Sequence, residues 1–180
     1  VWATGANNSA QLGLGDKDDR SVPTQIAISG VKAIACGYYH SLLLKNDGSL
    51  WAMGANSNSQ LGLSGREPYV TPEQVLPATR AGEAEITAIA GGTEHSLILR
   101  SDGSVWTING DLILSRDAKA IAAGRGNNFI LKTDGTVWAQ GNNLPGLFGL
   151  GDNYRRDSLT QVASEVSAIA VGDGSCFLVK

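Results

Sequence analysis

The chain has 180 residues, of which 42% are hydrophobic and 17% charged, and its formal net charge is −3. That balance excludes an intrinsically disordered polymer, and the slight acidity disfavours a nucleic-acid binder, which normally carries a basic stripe. No apolar run approaches the ~18 residues that cross a bilayer, and the 23 glycines do not fall at every third position, which excludes a collagen-like helix.

Short phrases recur along the chain. It opens on Val1-Trp2, followed by Gln11-Leu12-Gly13-Leu14-Gly15. Next come an alanine-rich phrase, Val31-Lys32-Ala33-Ile34-Ala35-Cys36-Gly37, and a leucine-rich phrase from His40 to Lys45. The turn phrase Asp47-Gly48-Ser49-Leu50-Trp51 and then Gln60-Leu61-Gly62-Leu63 complete the set. A second set runs Ile86 to Gly92, His95 to Arg100 and Asp102-Gly103-Ser104-Val105-Trp106. No Gln-Leu-Gly-Leu phrase follows it. A third set runs Ala118 to Gly124, Asn127 to Lys132, Asp134-Gly135-Thr136-Val137-Trp138 and Leu147-Phe148-Gly149-Leu150-Gly151. Val166 to Gly172 and Ser175 to Lys180 end the chain. Tryptophan spacings are 49, 55 and 32, and the missing phrase accounts for the short period. The expected organisation is a single repeat domain, with units of approximately 1–50, 51–105, 106–137 and 138–180.

Asp-Gly between apolar runs marks a hairpin, because glycine adopts the required positive φ without steric cost. Leu42–Lys45 should therefore pair antiparallel with Leu50–Gly54, and likewise in the other sets. The alanine phrase alternates between two faces, with Val31, Ala33 and Ala35 on one and Ile34 and Cys36 on the other. Small residues on the first face let another backbone come close. The leucine phrase is apolar on both faces, as a strand between two packed layers is. Sheets of three or four short strands, repeating about every 50 residues, read as blades around an axis. A leucine-rich horseshoe needs a period of about 20–29. The expected fold is all-β: a β-propeller of about four blades. It is either an arc of a longer propeller, the favoured reading, or a ring closed by pairing of the first and last strands. An arc leaves open edges through which chains self-associate.

Leu43 to Asn56, followed by Gln60 to Leu63, resembles the repeat of the regulator of chromosome condensation family. Gly15-Asp16, Asp19-Arg20, Pro23-Thr24, Gly151-Asp152 and Arg156-Asp157 resemble its loop. The Asp-Gly-Thr-Val-Trp-Ala style is similar to bacterial copies. The resemblance implies a propeller of the regulator of chromosome condensation type, usually with seven blades. Its members include a nuclear exchange factor for the small GTPase Ran, a plant ultraviolet photoreceptor, ubiquitin-ligase modules, secreted bacterial repeat proteins and a proteinaceous β-lactamase inhibitor. The photoreceptor carries extra tryptophans in the loop equivalent to residues 37–41, and this chain has none there.

No catalytic residue, metal ligand or cofactor site is expected. His40 and His95 share a repeat position with Asn127 and Ser175, so the position calls for a hydrogen bond to a neighbouring blade, not for a particular pKa. The tryptophans are expected to pack. Cys36 and Cys176 lack metal-ligand spacing and are too few for a disulfide framework; sitting among small residues, they are expected to be buried free thiols. Asp16-Lys17-Asp18-Asp19 lacks the alternation of a calcium loop and reads as a solvated turn.

What varies between the repeats is the loop after the alanine phrase. Tyr38 and Tyr39, Thr93 and Glu94, Arg125, and Asp173 are therefore the candidate partner-binding residues. The expected function is a non-enzymatic protein-interaction scaffold with a protein partner, no nucleic acid and no membrane insertion. The alternatives are an exchange-factor-like regulator of a small GTPase, a structural segment of a bacterial secreted or surface protein, and a proteinaceous enzyme inhibitor. A secreted or cell-surface location is favoured over the cytoplasm.

Overall fold

The computed structural model describes residues 1–180 as sixteen strands with no helix. Three four-stranded antiparallel meanders form its body. The first contains β3 (Val31–Cys36), β4 (His40–Lys45), β5 (Leu50–Gly54) and β6 (Tyr69–Leu76). The second contains β7 (Ile86–Gly91), β8 (Ser96–Arg100), β9 (Val105–Thr107) and β10 (Leu112–Leu114). The third contains β11 (Ala118–Ala123), β12 (Asn127–Lys132), β13 (Val137–Gly141) and β14 (Arg156–Ala163). A two-stranded sheet stands at each end: β1 (Trp2–Gly5) with β2 (Arg20–Gln25), and β15 (Ala168–Val171) with β16 (Cys176–Val179). By sequence phrase, β1–β2 match the outer half of a complete sheet and β15–β16 the inner half. They do not pair with each other, so the propeller is a partial one, open as an arc.

The hairpin strands pair antiparallel as expected, in a register that sets Leu42 opposite Ala52 and Leu44 opposite Leu50. Each Asp-Gly turn is a three-residue loop that uses one left-handed residue, Gly48 at φ 82° in the first sheet. Gly48 N–H donates to the Lys45 carbonyl at 3.0 Å, and Lys45 N–H to the Ser49 carbonyl at 2.9 Å. Asp47 braces the turn by accepting from the Ser49 N–H at 2.9 Å and its hydroxyl at 2.6 Å. Trp51 Nε1–H then donates to Ser49 Oγ at 3.0 Å. Asp102, Ser104 and Trp106 repeat this relay, as do Asp134, Thr136 and Trp138. In all three turns the carboxylate is held below its ordinary value, chiefly by the side-chain hydroxyl and then by the N–H.

The core lies between sheets. Leu42, Leu44, Leu50 and Ala52 face Ile86 and Ile98 of the next sheet, with Leu61 and Ile108 completing the cluster. Leu99 and Val105 meet Ala118 and Ile130 at the next interface, and Phe129, Leu131 and Val137 meet Val166 and Ile169 beyond it. Leucine is suited to this because each strand buries side chains on both of its faces. The alanine strands β3, β7, β11 and β15 lie innermost, side by side along the axis. Each of the first three carries a bulge after its first residue, as between Val31 and Ala33. The extra residue tightens the local twist.

The tryptophans pack at the margin of the core: Trp51 and Trp106 lie against its clusters, half-buried like Trp138, whereas Trp2, expected to pack as well, is 64% exposed. Lys45 and Lys132 cover the Trp51 and Trp138 rings, with Nζ 5.3 and 4.2 Å from the centroids. Cys36 is exposed, not buried, because the Ile34–Cys36 face of β3 has no complete sheet stacked on it; Cys176 is half-buried, which pushes its thiol up.

Candidate functional site

In a meander, the connections from first to second and from third to fourth strand share one end of the sheet. The Asp-Gly turns occupy the other. The candidate site is the first end, near the axis. Each alanine strand finishes on a glycine and folds back at once. Gly37 N–H donates to the His40 carbonyl at 2.8 Å, Gly92 to His95 at 2.9 Å, Gly124 to Asn127 at 3.1 Å and Gly172 to Ser175 at 2.9 Å. Neighbouring loops are bonded too: Tyr38 N–H to the Gly92 carbonyl at 3.2 Å, and Thr93 N–H to the Gly124 carbonyl at 3.1 Å.

This closeness demands glycine. A Cβ on Gly37 would lie 2.6 Å from the Gly92 carbonyl oxygen, one on Gly92 2.7 Å from that of Gly124, and one on Gly124 3.0 Å from that of Gly172. The frame is thus fixed by backbone, while the residues after each glycine are free to differ.

The loops surround an axial depression of about 250 Å³ lined by Cys36, Tyr38, Thr93 and Asp173 among the glycines. Tyr38 and Tyr39 are 56% and 40% exposed and meet edge to face at 4.4 Å. Thr93 Oγ1 donates to Asp173 Oδ1 at 3.2 Å across the depression. Of the six candidates, Tyr38, Thr93 and Asp173 are therefore brought together and Tyr39 is joined through Tyr38. Glu94 turns outward into a neighbouring cleft with His95 and Asp111. Arg125 is exposed and lines neither cavity.

Beneath the loops, His40 is buried and its Nε2 lies 2.8 Å from Ser96 Oγ on the next sheet. Burial, with a smaller contribution from His95, pushes its pKa down to about 4. His95 is lowered as well by burial, against opposing contributions from Asn128, Asn127 and Glu94. No group of three or more His, Cys, Asp or Glu side chains is arranged around a common point. Asp16 is held by Arg20 at 2.5 Å and by the Asp18 N–H at 3.0 Å, an ion-paired loop repeated by Asp152 with Arg156 at 2.7 Å.

Sequence reasoning missed three organising residues, Asn7, Asn56 and Asn143, all buried. Each side-chain oxygen accepts from a loop N–H five residues on: Leu12 at 2.9 Å, Leu61 at 3.1 Å and Phe148 at 2.7 Å. The amide groups donate back to carbonyls of Asp16, Gly65 and Asp152. The signal was available as Gly-x-Asn, present at residues 5–7, 54–56 and 141–143 and absent after Trp106.

The Regulator of chromosome condensation (RCC1) repeat pattern matches residues 1–44 and 47–99, and a second pattern of the same description matches 31–60. Ultraviolet-B receptor UVR8 of Arabidopsis thaliana is 30% identical over 110 residues, covering 59% of this chain and 24% of the receptor. Human WBSCR16 superimposes on 99% of the chain with a TM-score of 0.81 at 23% identity, and 56% of it is covered. Prp20p of Saccharomyces cerevisiae, whose crystal structure was described together with its binding to Gsp1p and histones, gives 0.78 at 23% identity over 100% of this chain and 52% of its own. The chain thus spans about a quarter of the length of the receptor and about half that of these two structures. With that pattern matched over more than half of its length and a partial propeller built from it, the chain belongs to the regulator of chromosome condensation repeat family.

Proposed function

We propose that the chain is a non-enzymatic protein-interaction scaffold whose contact surface is the axial loop rim, centred on Tyr38, Tyr39, Thr93 and Asp173, with Glu94 and Arg125 at its periphery. The observation that carries this reading is the contrast between frame and loops. Four glycine turns are locked carbonyl to backbone, and the side chains they display differ at every turn. A rigid platform displaying adaptable loops is the usual form of a binding surface. Exposed tyrosines offer large contact area at small entropic cost, and tyrosine is enriched among energetic anchors.

The test is a pull-down from lysate, comparing the 180-residue chain with a Tyr38→Ala/Tyr39→Ala variant whose thermal unfolding is unchanged. Loss of the recovered partner supports the rim; undiminished recovery refutes it. Prp20p was described with its binding to Gsp1p, and that favours a second reading, regulation of a small GTPase. Nucleotide release from a Ran-type GTPase, measured with and without this chain, separates the two readings. Acceleration would place the exchange-factor reading first.

A further inference from the structure

The sheets are joined by a hydrogen bond that recurs at two interfaces and is absent at the other two, before Asn128 and before Cys176; only before Asn128 is the loop that accepts it missing as well. Ser41 Oγ–H donates to the Gln11 carbonyl at 2.8 Å, and Ser96 Oγ–H donates to the Gln60 carbonyl at 2.8 Å. In both cases the second strand of one sheet is tied to the Gln-Leu-Gly-Leu loop of the preceding sheet. That loop buries Leu12 or Leu61, which are 7% and 0% exposed. Between the second and third complete sheets the loop does not exist. The chain passes from Thr107 to Leu112 through a tight turn, and Asn128 holds the position of Ser41 and Ser96.

A cleft of about 790 Å³ results. Its walls include Asp111, Leu112 and Ile113 on one side and Asn142, Arg155 and Leu159 on the other, with His95 and Asn128 between them. His95 Nε2 and Asn128 Oδ1 are buried close to each other without a well-formed hydrogen bond, whereas His40 Nε2 one interface earlier has Ser96, with only its Nδ1 unpaired. Buried polar atoms are almost always paired, and an exception calls for an explanation. Charge adds a second feature. Arg155 neutralises Asp157 at 2.7 Å, while Glu94 and Asp111 have no cation.

We propose that this cleft binds an extended peptide segment of a protein partner that takes the place of the absent Gln-Leu-Gly-Leu loop. The segment presents a backbone carbonyl to the Asn128 amide, as Gln60 presents one to Ser96. A rotation of that amide brings Oδ1 to His95 Nε2–H and frees Nδ2 to donate. A leucine-sized side chain lies against Leu112, which is 51% exposed, and Leu159. A flanking lysine or arginine meets Glu94 and Asp111. This site adjoins the tyrosine rim at Glu94 alone and does not depend on the tyrosines.

The probe is a capped peptide with the sequence of residues 56–63 preceded by one lysine. It is titrated into isotope-labelled 180-residue chain and followed by NMR. Saturable shifts of the His95 imidazole and the Asn128 side-chain amide, with His40 unmoved, are expected. Replacing the peptide leucine that corresponds to Leu61 by aspartate should weaken binding at least tenfold. Asp111→Lys, at an exposed turn, should weaken the lysine-bearing peptide and favour one carrying glutamate instead. Tyr38→Ala/Tyr39→Ala should leave the dissociation constant within twofold. Absence of saturable shifts at His95 and Asn128, equal shifts with a scrambled peptide, or binding abolished by the tyrosine variant would each overturn the proposal.

Discussion

His40 reaches across a sheet interface to Ser96, with Nε2 2.8 Å from Oγ, and the same hydroxyl donates to the Gln60 carbonyl at 2.8 Å. Because the Ser96 proton is committed to Gln60, its oxygen accepts, and His40 carries its own proton on Nε2. Nδ1 is buried without a partner, so a charged ring would be doubly penalised. An unfolded histidine titrates near 6.5, and the folded one near 4. As pH falls, the unfolded chain takes the proton first. Stability is therefore fully present above pH 6.5 and is lost between 6.5 and about 4. At ~1.4 kcal/mol per pKa unit the loss amounts to about 3 kcal/mol. Urea unfolding at stepped pH measures this, and His40→Gln should remove most of the slope, leaving the smaller part due to His95.

The axial frame predicts unequal costs for one substitution. In Gly92→Ala the new Cβ would sit 2.7 Å from the Gly124 carbonyl oxygen, forcing two loops apart. In Gly172→Ala the nearest atom, Ser175 Oγ, is 3.6 Å away. The first should destabilise by about 1–3 kcal/mol, as overpacking does. The second should stay within about 0.5 kcal/mol. Thermal unfolding of the pair is the measurement, and equal melting temperatures would contradict the geometry.

Asn56 satisfies a loop that has no regular structure of its own. Its oxygen accepts from Leu61 N–H at 3.1 Å and its amide donates to the Leu63 and Gly65 carbonyls at 3.0 and 2.7 Å. Asn56→Ala leaves the buried Leu61 N–H unpaired, at about 1–3 kcal/mol. The loop amides should lose hydrogen-exchange protection ahead of the strands. Uniform loss across β3–β6 would mean that Asn56 supports the whole sheet instead.

The turn relays give an acid-limb prediction. Asp102 is held below its ordinary value of 3.8 by the Ser104 hydroxyl and then by its N–H. A lowered folded pKa contributes stability present above pH 3.8 and lost as pH falls through the folded value. Asp102→Asn keeps an acceptor oxygen and should lose only this pH-linked part, whereas Asp102→Ala loses the turn bond as well. Comparing the two by thermal unfolding at pH 7 and pH 3 measures the difference, and Trp106 emission should shift only in the alanine variant.

Local patterning was enough to read the alanine and leucine strands, the Asp-Gly hairpins with the strand after each, the propeller class and the glycine-to-polar turns where loops vary, but not the outer strands β2, β6, β10 and β14, which lie outside the repeated phrases. Such signals are local: a turn residue and a two-residue alternation act within a few positions of themselves. What stands across an interface from a residue is set by sheets whose equivalent positions lie 32 to 55 residues apart, so it emerges when the sheets are packed. The tertiary structure exposed Cys36 and Trp2 at faces without a complete stacked sheet, turned Glu94 away from the axis while Asp173 joined Thr93, and left Asn128 without the loop that serves Ser41 and Ser96. A missing phrase is visible in the sequence, but the vacancy it leaves has volume and chemistry only once both neighbouring sheets are in place.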